Sequence, residues 1–157
     1  MQPAELKETL SARFPGLEFQ PASNRTCLMV PADRLVDVAR ELRDTPELAF
    51  DLLADHCAVD WPARDTIELL WQLDSTVHNH SLGLTVDLPR TDPRVHSLHT
   101  VWPNANWLER EVYDFFGVLY RNHPDLRRLF LEDDWQGWPL RKDYTDDFML
   151  TEPGGRR

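Results

Sequence analysis

The sequence predicts a two-layer α+β domain: a mainly antiparallel sheet packed by helices, followed by an extended C-terminal tail. Two observations carry that expectation. The first is a pair of segments in which apolar and polar residues alternate, with Ile67, Leu69, Trp71 and Leu73 in one and Leu82, Leu84, Val86 and Leu88 in the other. Period-2 alternation belongs to a strand with one buried face. The second is the order of the remaining signals, which runs helix, strands, helices, strands, helix, tail, and suits helices layered on one sheet.

The elements follow in sequence. Residues 3–14 form a helix, with Pro3 in its first turn, Leu6, Leu10 and Phe14 on one face and Gly16 as its stop. Leu17–Phe19 and Thr26–Val30 are short strands across a polar turn. Asp33–Arg43 is a second helix, with Leu35, Val38, Ala39 and Leu42 at helical spacing. Thr45-Pro46 opens a third helix through Leu53. Thr66–Leu73 and His80–Leu88 then make a hairpin through the turn Asp74–Asn79. Val95–Val101 adds a strand after Pro89 and Pro93. Asn106 and Glu109 have the spacing of a capping box, Leu108, Val112 and Phe115 line one helical face, and Gly117 closes that helix. Beyond it periodicity is lost. Pro124, Asp133-Asp134, Gln136-Gly137, Pro139 and Pro153-Gly154-Gly155 argue for irregular chain with at most a short turn from Pro124. The division expected is a core of residues 1–120 and an irregular, partner-binding tail of residues 121–157.

At 157 residues the chain suits one domain. A net charge of −10 disfavours nucleic acid and anionic lipid as partners. Cys27 and Cys57 have no ligand spacing and read as reduced thiols. No apolar run approaches the roughly 20 residues that span a bilayer. No signal or transit pattern precedes the first helix, which fits a bacterial or organelle-encoded chain.

Trp102–Tyr144 is the most informative stretch. It holds four of the six tryptophans, the basic doublets Arg127-Arg128 and Arg141-Lys142, and many carboxylates. Aromatics and arginine concentrate where protein contacts carry binding energy. Glu109, Arg110, Glu111 and Asp114 crowd one helix, where Arg110 and Asp114 have pairing distance in sequence. Three roles are open to these carboxylates: acid–base chemistry, a solvated face, or packing against arginines of the tail or a partner. The basic doublets could hold a quinone or a phosphate, but no glycine-rich fingerprint accompanies them. Ion pairs across an interface explain them better. His78-Asn79-His80 places two imidazoles on one strand face, which permits a metal pair but lacks a third ligand. The serines lie in no nucleophile-elbow context.

One set of residues resembles a known family. Glu109-Arg110-Glu111, Asp114, Gly117, then His123-Pro124-Asp125-Leu126-Arg127-Arg128, and finally Pro139-Leu140-Arg141-Lys142-Asp143-Tyr144 are similar to the signature of the 30 kDa subunit family of respiratory complex I, the NADH–quinone oxidoreductase. The strong likeness covers about a quarter of the chain. A weaker one runs upstream through His78-Asn79-His80, Val101-Trp102-Pro103 and Asn106-Trp107. Three positions depart from the pattern. Asn122 stands where Gly usually precedes His-Pro, Trp138 where His usually precedes Pro-Leu, and Thr145 where Pro usually follows the last aromatic.

The resemblance implies a non-catalytic structural subunit of the hydrophilic arm of a proton-pumping NADH–quinone oxidoreductase. Such a subunit braces the quinone-site subunit, neighbours the iron–sulfur subunits and binds no cofactor of its own. It lies peripherally on the cytoplasmic side of the cell membrane and meets the membrane only through the assembled complex. The signature residues, with Trp135, are then the expected interface, anchored by partner subunits. Two alternatives remain. One is the equivalent subunit of an energy-converting hydrogenase or ferredoxin-dependent complex. The other is a free-standing metal-dependent hydrolase using His78, His80 and a carboxylate.

Overall fold

A computed structural model describes residues 2–20 and 26–146. The polar turn expected between the first strands, and Pro153-Gly154-Gly155, lie outside those residues. Helix α1 spans Pro3–Arg13 and α2 spans Leu35–Asp44. Strands β1 (Glu18–Phe19), β2 (Cys27–Met29), β3 (Leu52–Trp61), β4 (Thr66–Ser75) and β5 (His80–Pro89) form one sheet in the order β1-β2-β5-β4-β3. Among the described residues, only the β2–β5 pairing is parallel within it. Two short strands, β6 (Arg94–His96) and β7 (Leu119–Arg121), pair in parallel on either side of α3 (Ala105–Phe116).

The expected hairpin is the centre of the sheet, with Trp71 opposite Leu84 and Leu73 opposite Leu82. Both alternating rows are buried and share a core with Leu6, Leu10 and Phe14 of the α1 segment and Leu35, Val38, Ala39 and Leu42 of α2. Each such side chain taken fully out of water contributes roughly 1.5–3 kcal/mol. The fold is therefore the two-layer, mainly antiparallel α+β arrangement with a tail.

Three elements differ from the sequence reading. The third helix does not form. Thr45 ends α2, the Leu48 and Ala49 amides both donate to its carbonyl, and Ala49 turns to φ 43. The chain then enters β3 at Leu52, a ten-residue strand. A register shift between Leu53 and Asp55 breaks its alternation, which hid it. The strand expected over Val95–Val101 is limited to Arg94–His96, because the Val101 and Trp102 amides turn back to the Leu98 carbonyl. Finally, α3 begins at Ala105, so Glu109 is its fifth residue and caps nothing. A capping box does occur, on α1, where Gln2 and Glu5 exchange hydrogen bonds.

His56 joins the sheet to the second strand pair. Its ring stacks on Trp71 at 4.4 Å, its Nδ1–H donates to the Leu70 carbonyl (2.9 Å), and its Nε2 accepts the Tyr120 hydroxyl (2.5 Å). Residues 122–146 form no helix or strand and lie over α3.

Candidate functional site

Helix α3 carries four charged residues in six positions, and the structure gives each a different task. Asp114 is fully buried. Its Oδ2 accepts three successive backbone N–H groups, from Leu129 (3.0 Å), Phe130 (2.7 Å) and Leu131 (3.1 Å). Its Oδ1 takes Nη1–H of Arg128 at 2.9 Å. Successive amides pointing at one oxygen are an anion nest, here filled by the chain's own carboxylate. Burial raises the carboxyl, but the three amides and Arg128 outweigh it and hold it below the usual range.

Arg110 is buried as well. It does not pair with Asp114, as the four-residue spacing suggested. Its Nε and Nη2 donate to the Arg127 and Arg128 carbonyls, both at 3.2 Å, and Nη1 lies 3.8 Å from Asp125. Its guanidinium sits over Trp107 at 5.0 Å. Glu111 is the solvated member. Glu109 is fully buried, accepting the Leu98 amide at 2.7 Å and the Ser97 hydroxyl, and burial pushes it up to about 7.

The tail completes this clasp. His123 donates Nε2–H to the Asn106 carbonyl (3.0 Å) and accepts the Asp125 amide at Nδ1 (3.0 Å), which fixes it as the neutral tautomer. Asp125 also binds Nε of Arg127. Leu126 packs on the core, and Pro124 is exposed between them. Arg128 spends its second nitrogen on the Trp135 (2.9 Å) and Gly137 (3.1 Å) carbonyls. Its guanidinium also covers Trp138 at 4.8 Å. Trp138 in turn lies on Gly117, where φ is 73 and an added Cβ would meet the indole at 2.4 Å. Asn122 adopts φ 61, the left-handed region, at the position where the resemblance led Gly to be expected. Asn is among the few other residues that tolerate it.

The last signature segment returns to the sheet. The Leu140 amide, after Pro139, donates to the Phe115 carbonyl (3.1 Å). Arg141 donates Nε–H to the Phe116 carbonyl (2.7 Å) and Nη1–H to that of Arg90 (3.2 Å). The Lys142 amide reaches Asp60 Oδ2 at 2.8 Å, and Asp143 pairs with Arg90 at 2.6 Å. Tyr144 bonds Asp146 and covers Gly137. Arg90 grips Asp60 at 2.6 and 3.0 Å. Asp60, Arg90 and Ser97 were missed from sequence. Once β3 is recognised, Asp60 stands out as a carboxylate in its inward row.

Phe130 of the tail is 64% exposed and Trp107 of α3 is 59% exposed. Phe130 stacks on Phe115 at 5.7 Å. Buried polar groups thus hold the tail, while large apolar side chains face outward. His78 and His80 are elsewhere, with Nε2 of each on a backbone carbonyl, Pro46 and Leu48, at 2.7 Å. Among the described residues no three His, Cys, Asp or Glu side chains are grouped to hold a metal ion, and no helix is long and apolar enough to cross a membrane.

The family profile described as "Respiratory-chain NADH dehydrogenase, 30 Kd subunit" matches residues 28–147, which span α2, the long hairpin, α3 and the clasp. The chain belongs to this family. Relatives described as a subunit of NADH-quinone oxidoreductase include one from Mycobacterium ulcerans, 43% identical over 82% of this chain and 58% of its own length. Another, from Herpetosiphon aurantiacus, is 38% identical over 90% of this chain and 83% of its own. The chain thus spans little more than half of the mycobacterial relative. Two solved structures share the fold. One belongs to an archaeal respiratory membrane complex, the membrane-bound sulfane sulfur reductase, with TM-score 0.78, 25% identity and coverage of 95% and 96% of the two chains. The other is the trypsin-resistant fragment (1-134) of Nqo5, with TM-score 0.65, 26% identity and coverage of 80% of this chain and all of that one.

Proposed function

We propose that this chain is a non-catalytic structural subunit of the hydrophilic arm of a complex I-type NADH–quinone oxidoreductase. In this reading it braces the quinone-site subunit, lies beside the iron–sulfur subunits on the cytoplasmic side of the membrane, and binds no cofactor of its own. One observation carries the reading. The conspicuous charged residues of the family signature, Arg110, Asp114, Arg128 and Arg141, are consumed in holding the chain's own backbone. None of the four lines the cavity between α1 and the ends of β4 and β5. Trp107 of α3 and Phe130 of the tail they hold are left exposed, and large aromatics beside arginine are the residues that anchor protein interfaces.

A second reading has its own support. The likeness to the sulfane sulfur reductase structure extends over nearly the whole of both chains. The equivalent subunit of a related respiratory membrane complex therefore fits the fold. The higher identity to the NADH-quinone oxidoreductase relatives favours the first reading. A free-standing hydrolase fits less well, since His78 and His80 each engage a carbonyl.

Affinity purification of the tagged chain from its own cells, in mild detergent, tests this directly. The reading expects quinone-site and iron–sulfur subunits to copurify with NADH–quinone activity. A chain that purifies alone, or with a complex that lacks NADH oxidation, contradicts it.

A further inference from the structure

Glu109 and Asp114 are both fully buried on α3, yet they are satisfied in opposite ways. Asp114 has an arginine and three amides. Glu109 has one amide, Leu98, on Oε1 and the Ser97 hydroxyl on Oε2. A carboxylate required to stay ionised would be served by a cation, as Asp114 is. Glu109 has a hydroxyl instead, and that hydroxyl leads outward. Ser97 Oγ lies 3.0 Å from Nδ1 of His99, an imidazole at the edge of solvent.

The other groups around Glu109 offer no competing route. On the same helix the Arg110 guanidinium is committed to the Arg127 and Arg128 carbonyls. From the tail, His123 Nε2 is 3.9 Å away, with its hydrogen given to the Asn106 carbonyl. From β7 the Tyr120 hydroxyl is given to His56 of β3. His96 of β6 faces Asn122.

We propose that His99, Ser97 and Glu109 form a proton relay through which the buried carboxylate takes up and releases a solvent proton while the fold stays closed. A solvent proton adds at His99 Nε2. The proton on Nδ1 passes to Ser97 Oγ, and the original hydroxyl proton passes to Glu109 Oε2. The imidazole ends neutral with its hydrogen on Nε2, the serine keeps one hydrogen, and the carboxylate becomes a carboxylic acid. One proton has entered, the imidazole has exchanged its Nδ1–H tautomer for the Nε2–H one, and no heavy-atom bond has changed. The hydrogen bonds then point the other way: Glu109 donates to Ser97, and Ser97 donates to His99 Nδ1. The same heavy-atom spacing serves both states, and the Leu98 amide holds Oε1 in each. Desolvation, which puts Glu109 at about 7 against the pull of its two hydrogen bonds, keeps both states populated near neutrality. The relay does not depend on the chain joining a larger complex.

Infrared spectroscopy of the full chain tests it. A protonated carboxyl stretch should appear as pH falls through neutrality and be absent from Glu109→Gln. Labelling glutamate with 13C assigns the band if that variant does not fold. After transfer to D2O the wild-type band should shift well before the Leu98 amide exchanges. Ser97→Ala and His99→Gln should lose this fast phase, so that the carboxyl exchanges no sooner than that amide. The proposal is overturned by a wild-type band that shifts only with the amide, by Ser97→Ala and His99→Gln shifting as fast as wild type, or by no protonated carboxyl across the neutral range.

Discussion

Arg128 binds Asp114 twice, through the carboxylate Oδ1 and through the backbone carbonyl, each at 2.9 Å. One tail residue therefore fixes both the side chain and the main chain of one α3 residue. Asp114 returns the hold by taking the amides of the three residues that follow Arg128. The pair is the centre of the clasp and leads to the first prediction. Asp114→Asn leaves a buried guanidinium without its counter-charge, which costs on the order of 3–5 kcal/mol. Arg128→Met should cost less, because the three amides still hold the carboxylate. Urea melts of both single variants and the double variant check this. The two effects should be far from additive.

The second prediction concerns pH. Glu109 rises from 4.5 to about 7 on folding. It binds its proton more tightly in the folded chain, so its contribution falls as pH rises across that window. His56 moves from 6.5 down to about 4, so its contribution grows as pH rises between those values. At about 1.4 kcal/mol per pKa unit, each contribution is roughly 3 kcal/mol and of opposite sign. Wild-type stability should therefore vary little between about pH 4.5 and 6.5 on account of this pair. Glu109→Gln removes the falling contribution, and its stability should rise with pH more steeply than wild type. Parallel profiles in denaturant titrations would count against the assignment.

Gly117 and Gly16 separate two meanings of a left-handed glycine. Both have positive φ, 73 and 85, but only Gly117 faces an indole, while nothing lies within 4 Å of a Cβ at Gly16. Gly16→Ala should cost about 1 kcal/mol, the backbone penalty alone. Gly117→Ala should cost about 1–3 kcal/mol more, as overpacking does, and should displace Trp138. Thermal melts give the first comparison. Tryptophan fluorescence gives the second.

Asp60 latches the end of the signature. It accepts the Lys142 amide and two guanidinium nitrogens of Arg90, Nε and Nη2, and Arg90 in turn holds Asp143. Asp60→Ala should speed hydrogen exchange over residues 141–144 and leave residues 128–131, held by Asp114, as protected as before. Equal loosening of both stretches would mean that the two latches are one unit.

The long hairpin was legible because Ile67, Leu69, Trp71 and Leu73 in one strand and Leu82, Leu84, Val86 and Leu88 in the other each keep an unbroken period-2 apolar row. Strand β3 was not, because one extra residue between Leu53 and Asp55 reverses the parity near its start. The segment after Thr45 looked helical by Pro46 and its apolar residues, but the chain must turn at Ala49 to enter the sheet. The signature residues stood out by density and type. Their tasks did not, because the tail is ordered by side chains gripping backbone, such as Asp114 on three amides and Arg141 on two carbonyls. Such bonds have no period. Asp60 and Ser97 have no sequence neighbours to betray them, and only the folded register brings them to Lys142 and Glu109.

In the proposed role the clasp serves to present a surface, and mutation can separate the two. Trp107→Ala with Phe130→Ala removes the two most prominent aromatics there and touches none of the hydrogen bonds to Asp114 or Arg128. This double variant, expressed in place of the wild-type chain, should melt close to wild type when isolated but no longer copurify with its neighbouring subunits. A variant that assembles at the wild-type yield would contradict it.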